Sequence, residues 1–143
     1  MEFKKQGHCV YYAKYHLVFV SKYRHKIFNR GVIEYLKDII KRIQDHYPDI
    51  QVEELNGEQD HIHLFVSIPP KISVSRTVNI IKVNTAVALR KRFRYLDQLY
   101  WGQAGVWSDG YFVSTAGINE ETIKKYIEQQ WKEDRGQAKL ELG

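Results

Sequence analysis

Apolar residues alternate with polar or aromatic ones most strictly between positions 61 and 68. The four aliphatic residues from Ile62 to Ile68 share one side of this segment, and the residues between them share the other. A period of two is that of a β-strand, and Pro69 ends it because proline cannot donate to a sheet ladder. β-Branched and aromatic residues also predict strands over 11–20, 50–55 and 106–116, the last as a strand pair or one bent strand.

Apolar residues recur every three or four positions in two longer segments, 31–47 and 73–93. This spacing places them on one face of a helix. A third helix is predicted to begin after Asn119, whose side chain can accept hydrogen bonds from the first turn. Glu120 and Glu121 then lie where the helix dipole favours negative charge.

The predicted order is strand, helix, strand, strand, helix, strand, followed by one additional helix. The βαββαβ order is ferredoxin-like (RRM-like), an α+β class with an antiparallel sheet, two helices on one face and the other face open. No linker or repeat divides the 143 residues. We therefore expect a single domain over 1–143, with a polar tail (132–143) that is flexible or contacts a partner.

Composition narrows the class of protein further. The chain has one cysteine, which excludes an internal disulfide and a cysteine-based zinc cage. Its apolar runs are far too short to span a bilayer, and its first residues lack the apolar core of a signal peptide. We expect a soluble cytoplasmic protein that does not insert into membranes.

Basic residues are concentrated in two windows that contain no acidic residue, 3–33 and 61–96. These windows hold 14 of the 22 Lys and Arg residues. Such segregation gives a fold one positive side that attracts polyanions. A solvated helix face would explain the same pattern in an ordinary domain. Aromatic residues among the cations favour nucleic acid, since bases stack on rings while phosphates bind Lys and Arg.

The open side of the 61–68 strand carries two histidines, His61 and His63. At i and i+2 their Cα atoms lie roughly 7 Å apart and both imidazoles can bind one metal ion. Two ordinary surface histidines are an equally good interpretation of the pair alone. No histidine follows His63, which argues against metallo-β-lactamase-like and histidine-triad chemistry. His16, on the first predicted strand, stays a candidate ligand.

The last predicted helix places Tyr126 and Gln130 one turn apart on the same face. Ile123 and Ile127 lie beside them and would dock this helix on the protein. On its own, a tyrosine beside an apolar stripe is more typical of packing than of catalysis.

Taken together, these motifs resemble the small single-tyrosine transposases of the HUH class, which the simplest bacterial and archaeal insertion sequences carry. The resemblance covers nearly the whole chain. It includes residues 15–24, the Asp-His-Ile-His-Leu run at 60–64, residues 106–115 and the Tyr-x-x-x-Gln at 126–130.

The resemblance implies a role for each motif. Tyr126 would be the nucleophile that attacks single-stranded DNA and forms a 5′-phosphotyrosine link. His61, His63 and the side-chain oxygen of Gln130 would bind Mg²⁺ or Mn²⁺. The enzyme would cleave and rejoin DNA at hairpin-bearing element ends.

The same resemblance implies a homodimer in which the tyrosine helix of one subunit completes the metal site of the other, with Gly117 as a hinge. The candidates for DNA contact are Lys22, Tyr23, Arg24, Arg76, Arg90, Lys91, Arg92 and Arg94. The alternatives are a non-catalytic single-stranded nucleic-acid-binding module, an HUH nickase of replication or conjugation, and a host-domesticated HUH nickase.

Overall fold

A four-stranded antiparallel sheet forms the centre of the protein. The structure is a computed structural model that describes residues 3–117 and 119–142, with side chains as far as residue 136. Its strands are β3 (Lys14–Val20), β4 (Gln51–Gly57), β5 (His61–Ser67) and β6 (Phe112–Ser114). They lie in the order β4-β5-β3-β6, and each neighbouring pair is antiparallel.

Four helices and one small hairpin complete the described chain. The helices are α1 (Arg30–His46), α2 (Val74–Arg92), α3 (Arg94–Leu99) and α4 (Glu120–Leu142), and the hairpin is β1 (Lys4–Gln6) with β2 (Cys9–Tyr11). The succession from β3 to β6 contains the predicted βαββαβ order, with α3 added before β6. The predicted α+β class is confirmed.

The structure differs from the predicted elements at three places. The segment 11–20 is not one strand, because Tyr11 ends the β1–β2 hairpin and β3 begins at Lys14. The short helix α3 follows α2 and was not predicted. The segment 106–116 is not a strand pair: Trp107 forms an isolated bridge with Ser21, and only Phe112–Ser114 pairs with β3. It is one bent strand whose pairing with β3 is interrupted between these two points.

One face of the sheet carries the main core. Leu17 and Phe19 of β3 lie opposite Leu64 and Ile62 of β5, and all four are buried beneath the helices. Apolar residues of α1 and α2 pack on this face, as the helical spacing predicted. The Asn29 side chain accepts a hydrogen bond from the Val32 amide at 3.0 Å and so fixes the start of α1.

The opposite face is crossed by α4. Val18 and Val20 point to this face, because they alternate with the core residues along β3. Ile123 and Ile127 of α4 pack on these two valines in a separate buried cluster. Asn119 caps α4 as predicted, since its Oδ1 accepts from the amide of Glu121 at 2.9 Å. Among the described residues, we find no helix with the length and apolar character needed to cross a membrane.

Candidate active site

The two histidines of β5 lie side by side on the face that α4 crosses. Their ring centroids are 4.9 Å apart and their planes meet at 66°. Both are cross-strand partners of β3 residues on the same face, His63 of Val18 and His61 of Val20. The alternation of β5 therefore brings the imidazoles together, as predicted from the sequence.

Asp60 orients the first of these histidines. Its Oδ1 lies 2.8 Å from His61 Nδ1, and its Oδ2 accepts from Arg24 Nε at 2.8 Å. The His61 hydrogen bond, with help from Arg24, lowers the pKa of Asp60 to about 2. An ionised carboxylate can only accept, so the proton of His61 sits on Nδ1. The Nε2 lone pair is then available to a ligand.

His63 is held in its neutral form. Burial lowers the pKa of His63, and the neighbouring His61 lowers it further. Neutral imidazole is the form that binds metal ions. Both rings line a cleft of about 750 Å³, which is also lined by Arg24 and by Ile123 and Ile127 of α4. This side of α4 is called the histidine flank below.

Tyr126 and Gln130 lie on the other side of α4, beside β6. The Tyr126 ring packs on Phe112 with centroids 5.9 Å apart. Gln130 is 5% exposed, and its Oε1 accepts from the Gly110 amide at 3.3 Å. A Cβ on Gly110 would lie 2.9 Å from Gln130 Nε2 and 3.2 Å from Tyr126 Oη. A side chain at position 110 would therefore force the end of Gln130 to shift. This packing of Gly110, Phe112, Tyr126 and Gln130 is called the tyrosine seat below.

The phenol of Tyr126 is sealed in this seat. Its oxygen is buried and has no hydrogen-bond partner among the described residues. Burial raises the pKa of Tyr126, and the nearby carboxylates of Glu133 and Asp134 add to the effect. In this position the phenol oxygen is un-ionised at neutral pH and shielded from solvent, although Tyr126 as a whole is only half-buried.

One strand separates the two flanks. Val18 of β3 pairs with His63 on one side and with Phe112 on the other. Two strand spacings make roughly 10 Å, and α4 lies over the strand between them. The described part of the chain has no group of three or more His, Cys, Asp or Glu that could hold a metal ion. Two predicted ligands thus converge, while Gln130 does not join them within one chain.

The motifs and the fold together agree with a known family. The model of IS200-like transposases matches residues 9–130. The chain belongs to the IS200-like transposase family. The transposase is 31% identical over 139 residues to the IS200 transposase of Salmonella typhimurium, covering 97% of this chain and 90% of that protein. It is 31% identical over 131 residues to the ISDra2 transposase TnpA of Deinococcus radiodurans, covering 91% and 92%.

Solved structures agree with the fold. A Deinococcus radiodurans R1 protein described as a transposase matches with a TM-score of 0.75 and 31% identity, over 89% of this chain and 97% of that one. A REP-associated tyrosine transposase bound to a REP hairpin matches with a TM-score of 0.53 over 86% and 68% of the two chains. At 13% identity, the second match concerns the fold alone.

The remaining histidine candidate of the transposase has another environment. His16 stacks on Phe65, with ring centroids 4.6 Å apart. It also lies opposite Phe65 in the β3–β5 register, two residues along β3 from Val18, which pairs with His63. His16 therefore packs on an aromatic ring beside the pair and does not complete it.

The basic candidates separate into internal and surface groups. Arg90 is internal: its guanidinium donates to Asp97 Oδ1 at 2.9 Å, to Gln103 O at 2.6 Å and to Tyr100 O at 3.2 Å. It fixes the segment after α3, which argues for a structural role. Lys22 is also buried. The exposed candidates are Arg24, Arg76, Lys91, Arg92 and Arg94, and Tyr23 is half-buried.

Two polar groups lie behind the tyrosine seat and were not predicted from the sequence. Lys82 of α2 donates to the carbonyls of Ser108 and Gly110, each at 2.7 Å. Burial lowers the pKa of Lys82 to about 8. Asp134 of α4 is buried and accepts from Ser108 Oγ at 2.7 Å. A polar residue gives no sequence signal of burial when its partners are distant in the chain.

One exposed aromatic residue was also missed. Trp101 follows α3 and is 81% exposed, a large apolar surface to present to water. Its neighbour Tyr100 is buried and donates to the carbonyl of Lys22 at 3.0 Å, which fixes this segment beside the turn at Lys22–Arg24. The indole is thus displayed from a firmly anchored stretch of chain.

Proposed function

We propose that this transposase cleaves and rejoins single-stranded DNA at hairpin-bearing ends, through a covalent link between Tyr126 and a 5′ phosphate. The observation that carries the proposal is the histidine flank. Two imidazoles converge on a cleft whose wall is the helix that bears the tyrosine. Membership of the IS200-like family supports DNA strand transfer as the overall reaction.

The histidine flank fits a divalent cation. His61 and His63 would supply two nitrogen ligands, with the lone pair of His61 Nε2 directed away from Asp60. Mn²⁺ accepts imidazole readily and Mg²⁺ less so. Such an ion would orient the phosphodiester and offset the charge that develops on the departing oxygen. The side-chain oxygen of Gln130 would be the third ligand only after α4 leaves its seat.

The proposed chemistry exchanges one phosphate ester for another. Tyr126 Oη forms a bond to phosphorus while the bond to the 3′ oxygen breaks, so the DNA keeps a free 3′-OH and the phenol loses its proton. Because no water enters, a 3′-OH can later attack the phosphotyrosine and restore a DNA strand without ATP. Tyr126 must first become accessible, since its oxygen is buried in the seat.

We further propose that α4 of one subunit completes the histidine flank of a second copy in a homodimer. Two features support this arrangement. Among the described residues of one chain, the histidine flank lacks a third ligand, and the proposed ligand Gln130 lies on a helix docked by a small apolar cluster. A Cβ at Gly117, close before α4, would meet no atom of the described residues within 4 Å apart from its chain neighbours, which suits a hinge.

Exposed cations and aromatic rings supply candidate DNA contacts. Arg24 lines the cleft, and Arg92 lies over the Phe93 ring at 5.2 Å near the end of α2. Trp101 would stack on unpaired bases, as aromatic side chains do in single-strand-binding proteins. The REP-associated relative, whose structure contains a REP hairpin, supports a hairpin as the DNA form.

The test is a covalent adduct. The protein is incubated with hairpin-bearing single-stranded DNA and Mn²⁺, and the products are separated on a denaturing gel. We expect a protein–DNA band that is absent in Tyr126→Phe and after chelation of the metal. Tyr111→Phe is the matched control, because it removes a half-buried phenol next to Gly110 and should keep the band. An undiminished band in Tyr126→Phe would refute the assigned nucleophile.

A non-catalytic nucleic-acid-binding module is the second candidate. The observation that favours it is the separation of Tyr126 and Gln130 from the histidines in the single chain. It predicts DNA binding that does not depend on metal, and no covalent band under any condition. The same gel and a binding titration with and without chelator therefore distinguish the two functions.

A further inference from the structure

A buried carboxylate ties α4 to the body of the protein. Asp134 lies one turn beyond Gln130 on the same helix face and is 2% exposed. Its Oδ2 accepts from Ser108 Oγ at 2.7 Å and from the backbone amide of Tyr23 at 2.8 Å. A buried carboxylate is tolerated only where donors replace water. Asp134 also lies beyond residues 9–130, the part that the family model matches.

The turn that Asp134 contacts has an unfavourable backbone conformation. Tyr23 has φ of +58° and Arg24 has φ of +54°, and neither is a glycine. Side chains with a Cβ rarely adopt this left-handed region, so neighbouring contacts must hold it. The hydrogen bond from the Tyr23 amide to Asp134 is one such contact, and it comes from α4.

The same turn reaches the histidine flank. Arg24 Nε donates to Asp60 Oδ2 at 2.8 Å, and Asp60 Oδ1 lies 2.8 Å from His61 Nδ1. Hydrogen bonds on either side of the covalently linked residues Tyr23 and Arg24 thus connect α4 through the strained turn to the imidazole. The position of α4 and the orientation of His61 share one physical support.

The other partner of Asp134 belongs to the tyrosine seat. Ser108 begins the 108–110 loop, whose carbonyls Lys82 binds from the opposite side. The amide of Gly110 in this loop donates to Gln130. The loop is therefore held between α2 and α4, and Asp134 closes the α4 side.

We propose that Asp134 is a positioning residue that latches α4 in its seat and thereby controls how often Tyr126 becomes available. The inference rests on the proposed function, because it gives the release of α4 a role in the reaction. It adds the residue that resists this release and places it outside the Tyr-x-x-x-Gln motif.

The test compares Asp134→Ala with Asp134→Asn in the full chain. Alanine removes the acceptor, whereas asparagine keeps an oxygen of the same shape for both donors. We expect amide hydrogen exchange of residues 120–136 to rise at least about tenfold in the alanine variant, together with the Tyr23 amide. Residues of α1 should exchange as before, and the asparagine variant should stay within about threefold of the parent protein.

The rate of adduct formation distinguishes the two roles, because a merely structural role of Asp134 would not make this rate rise when the residue is removed. We expect the initial rate of the covalent band to increase at least about threefold in Asp134→Ala and to return near the parent rate in Asp134→Asn. Glu128→Ala is the matched control, since it removes an exposed carboxylate of the same helix. Unchanged exchange in α4, or faster exchange with an equal or slower adduct rate, would overturn the latch.

The proposal stays testable if the alanine variant does not fold or if the parent protein forms no adduct. If the alanine variant does not fold, Ser108→Ala removes only one of the two donors to Asp134 and should give a smaller rise in α4 exchange; no rise would contradict the latch. If the parent protein forms no adduct at all, the proposed function fails. The exchange comparison would still decide whether Asp134 holds α4.

Discussion

The histidine flank and the tyrosine seat, on the two sides of α4, differ in whether their side chains are free to bind a ligand. On the histidine flank, the imidazoles face a cleft and Asp60 already fixes the first of them. In the tyrosine seat, the phenol oxygen is buried with no hydrogen-bond partner in the described part of the chain, and the side-chain oxygen of Gln130 accepts from the Gly110 amide. The same helix forms the wall of both sides, yet only one of them is ready for a ligand.

The difference follows from the range of the contacts. His61, His63 and Asp60 are neighbours in sequence, so the pleat of one strand arranges them. The seat depends on residues far apart in the chain, with Gly110 meeting Gln130 and Tyr23 meeting Asp134. A site made of local contacts is preorganised, whereas one made of long-range contacts can be released as a unit. For the proposed reaction, the required motion is that of α4 and not of the histidines.

The largest expected effect is on the histidine flank. His63→Ala should lower the rate of adduct formation by at least about 100-fold, because a direct ligand outweighs the outer partners whose loss costs about 10–100-fold. The measurement is the denaturing gel at fixed Mn²⁺. Hydrogen exchange in α4 should not change, since the seat does not involve His63.

His16→Ala is the control for this prediction. It removes a histidine from the same sheet face, where it stacks on Phe65 and not on the pair. The adduct rate should stay within about threefold of the parent protein. An equal loss of adduct rate in both variants would contradict the distinction between His63 as a ligand and His16 as a neighbour, and would mean that His16 takes part in the site.

A smaller effect is expected in the tyrosine seat. Gly110→Ala places a Cβ 2.9 Å from Gln130 Nε2 and 3.2 Å from Tyr126 Oη. Overpacking of this kind costs typically 1–3 kcal/mol, and we expect about 1–2 kcal/mol because the Gln130 side chain can shift. Chemical denaturation measures the loss of unfolding free energy, and hydrogen exchange should locate it in α4.

Gly117→Ala serves as the matched control for the seat. Apart from its chain neighbours, no atom of the described residues lies within 4 Å of the added Cβ, so the effect should stay within about 0.5 kcal/mol. Similar losses at both glycines would show that the chain near α4 is generally intolerant of alanine and that the seat is not specifically filled.

The histidine flank could be predicted because its signals are local. Alternation in 61–68 identified both the strand and the side on which His61 and His63 lie, and β5 begins at His61 as expected. The cap at Asn119 is confirmed for the same reason, since its side-chain oxygen accepts from the nearby amides of Glu121 and Thr122.

The seat could not be predicted because its partners are distant in sequence. Asp134 falls in a stretch whose polar composition predicted a flexible or partner-contacting tail, yet its carboxylate is buried against Ser108.

Arg90 was a candidate DNA contact on the evidence of its basic neighbours, but the carbonyls after α3 occupy its guanidinium. Burial of a charged group depends on which segments meet it, and a single sequence does not contain that information. The roles of the site residues stay predictions.

The smallest expected effect separates DNA contact from support on the histidine flank. Arg24 pairs with Asp60, but its side chain is 49% exposed, so Arg24→Gln should cost less than about 1 kcal/mol of stability. If the guanidinium binds a phosphate, affinity for hairpin DNA falls a few-fold, and the slope of log affinity against log salt decreases by about one. Fluorescence titrations at several salt concentrations measure both quantities.

Lys71→Gln gives the charge-matched control at the opposite end of β5. Lys71 is exposed and forms an ion pair with Asp49 at 2.9 Å. Its loss changes the net charge by the same amount, so a general electrostatic attraction would weaken binding equally in the two variants. A change of slope confined to Arg24→Gln would place the DNA on the histidine flank, where the proposed metal ligands already converge. An unchanged slope in Arg24→Gln would mean that Arg24 does not bind a DNA phosphate and that its contact is the ion pair with Asp60, the hydrogen-bond partner of His61.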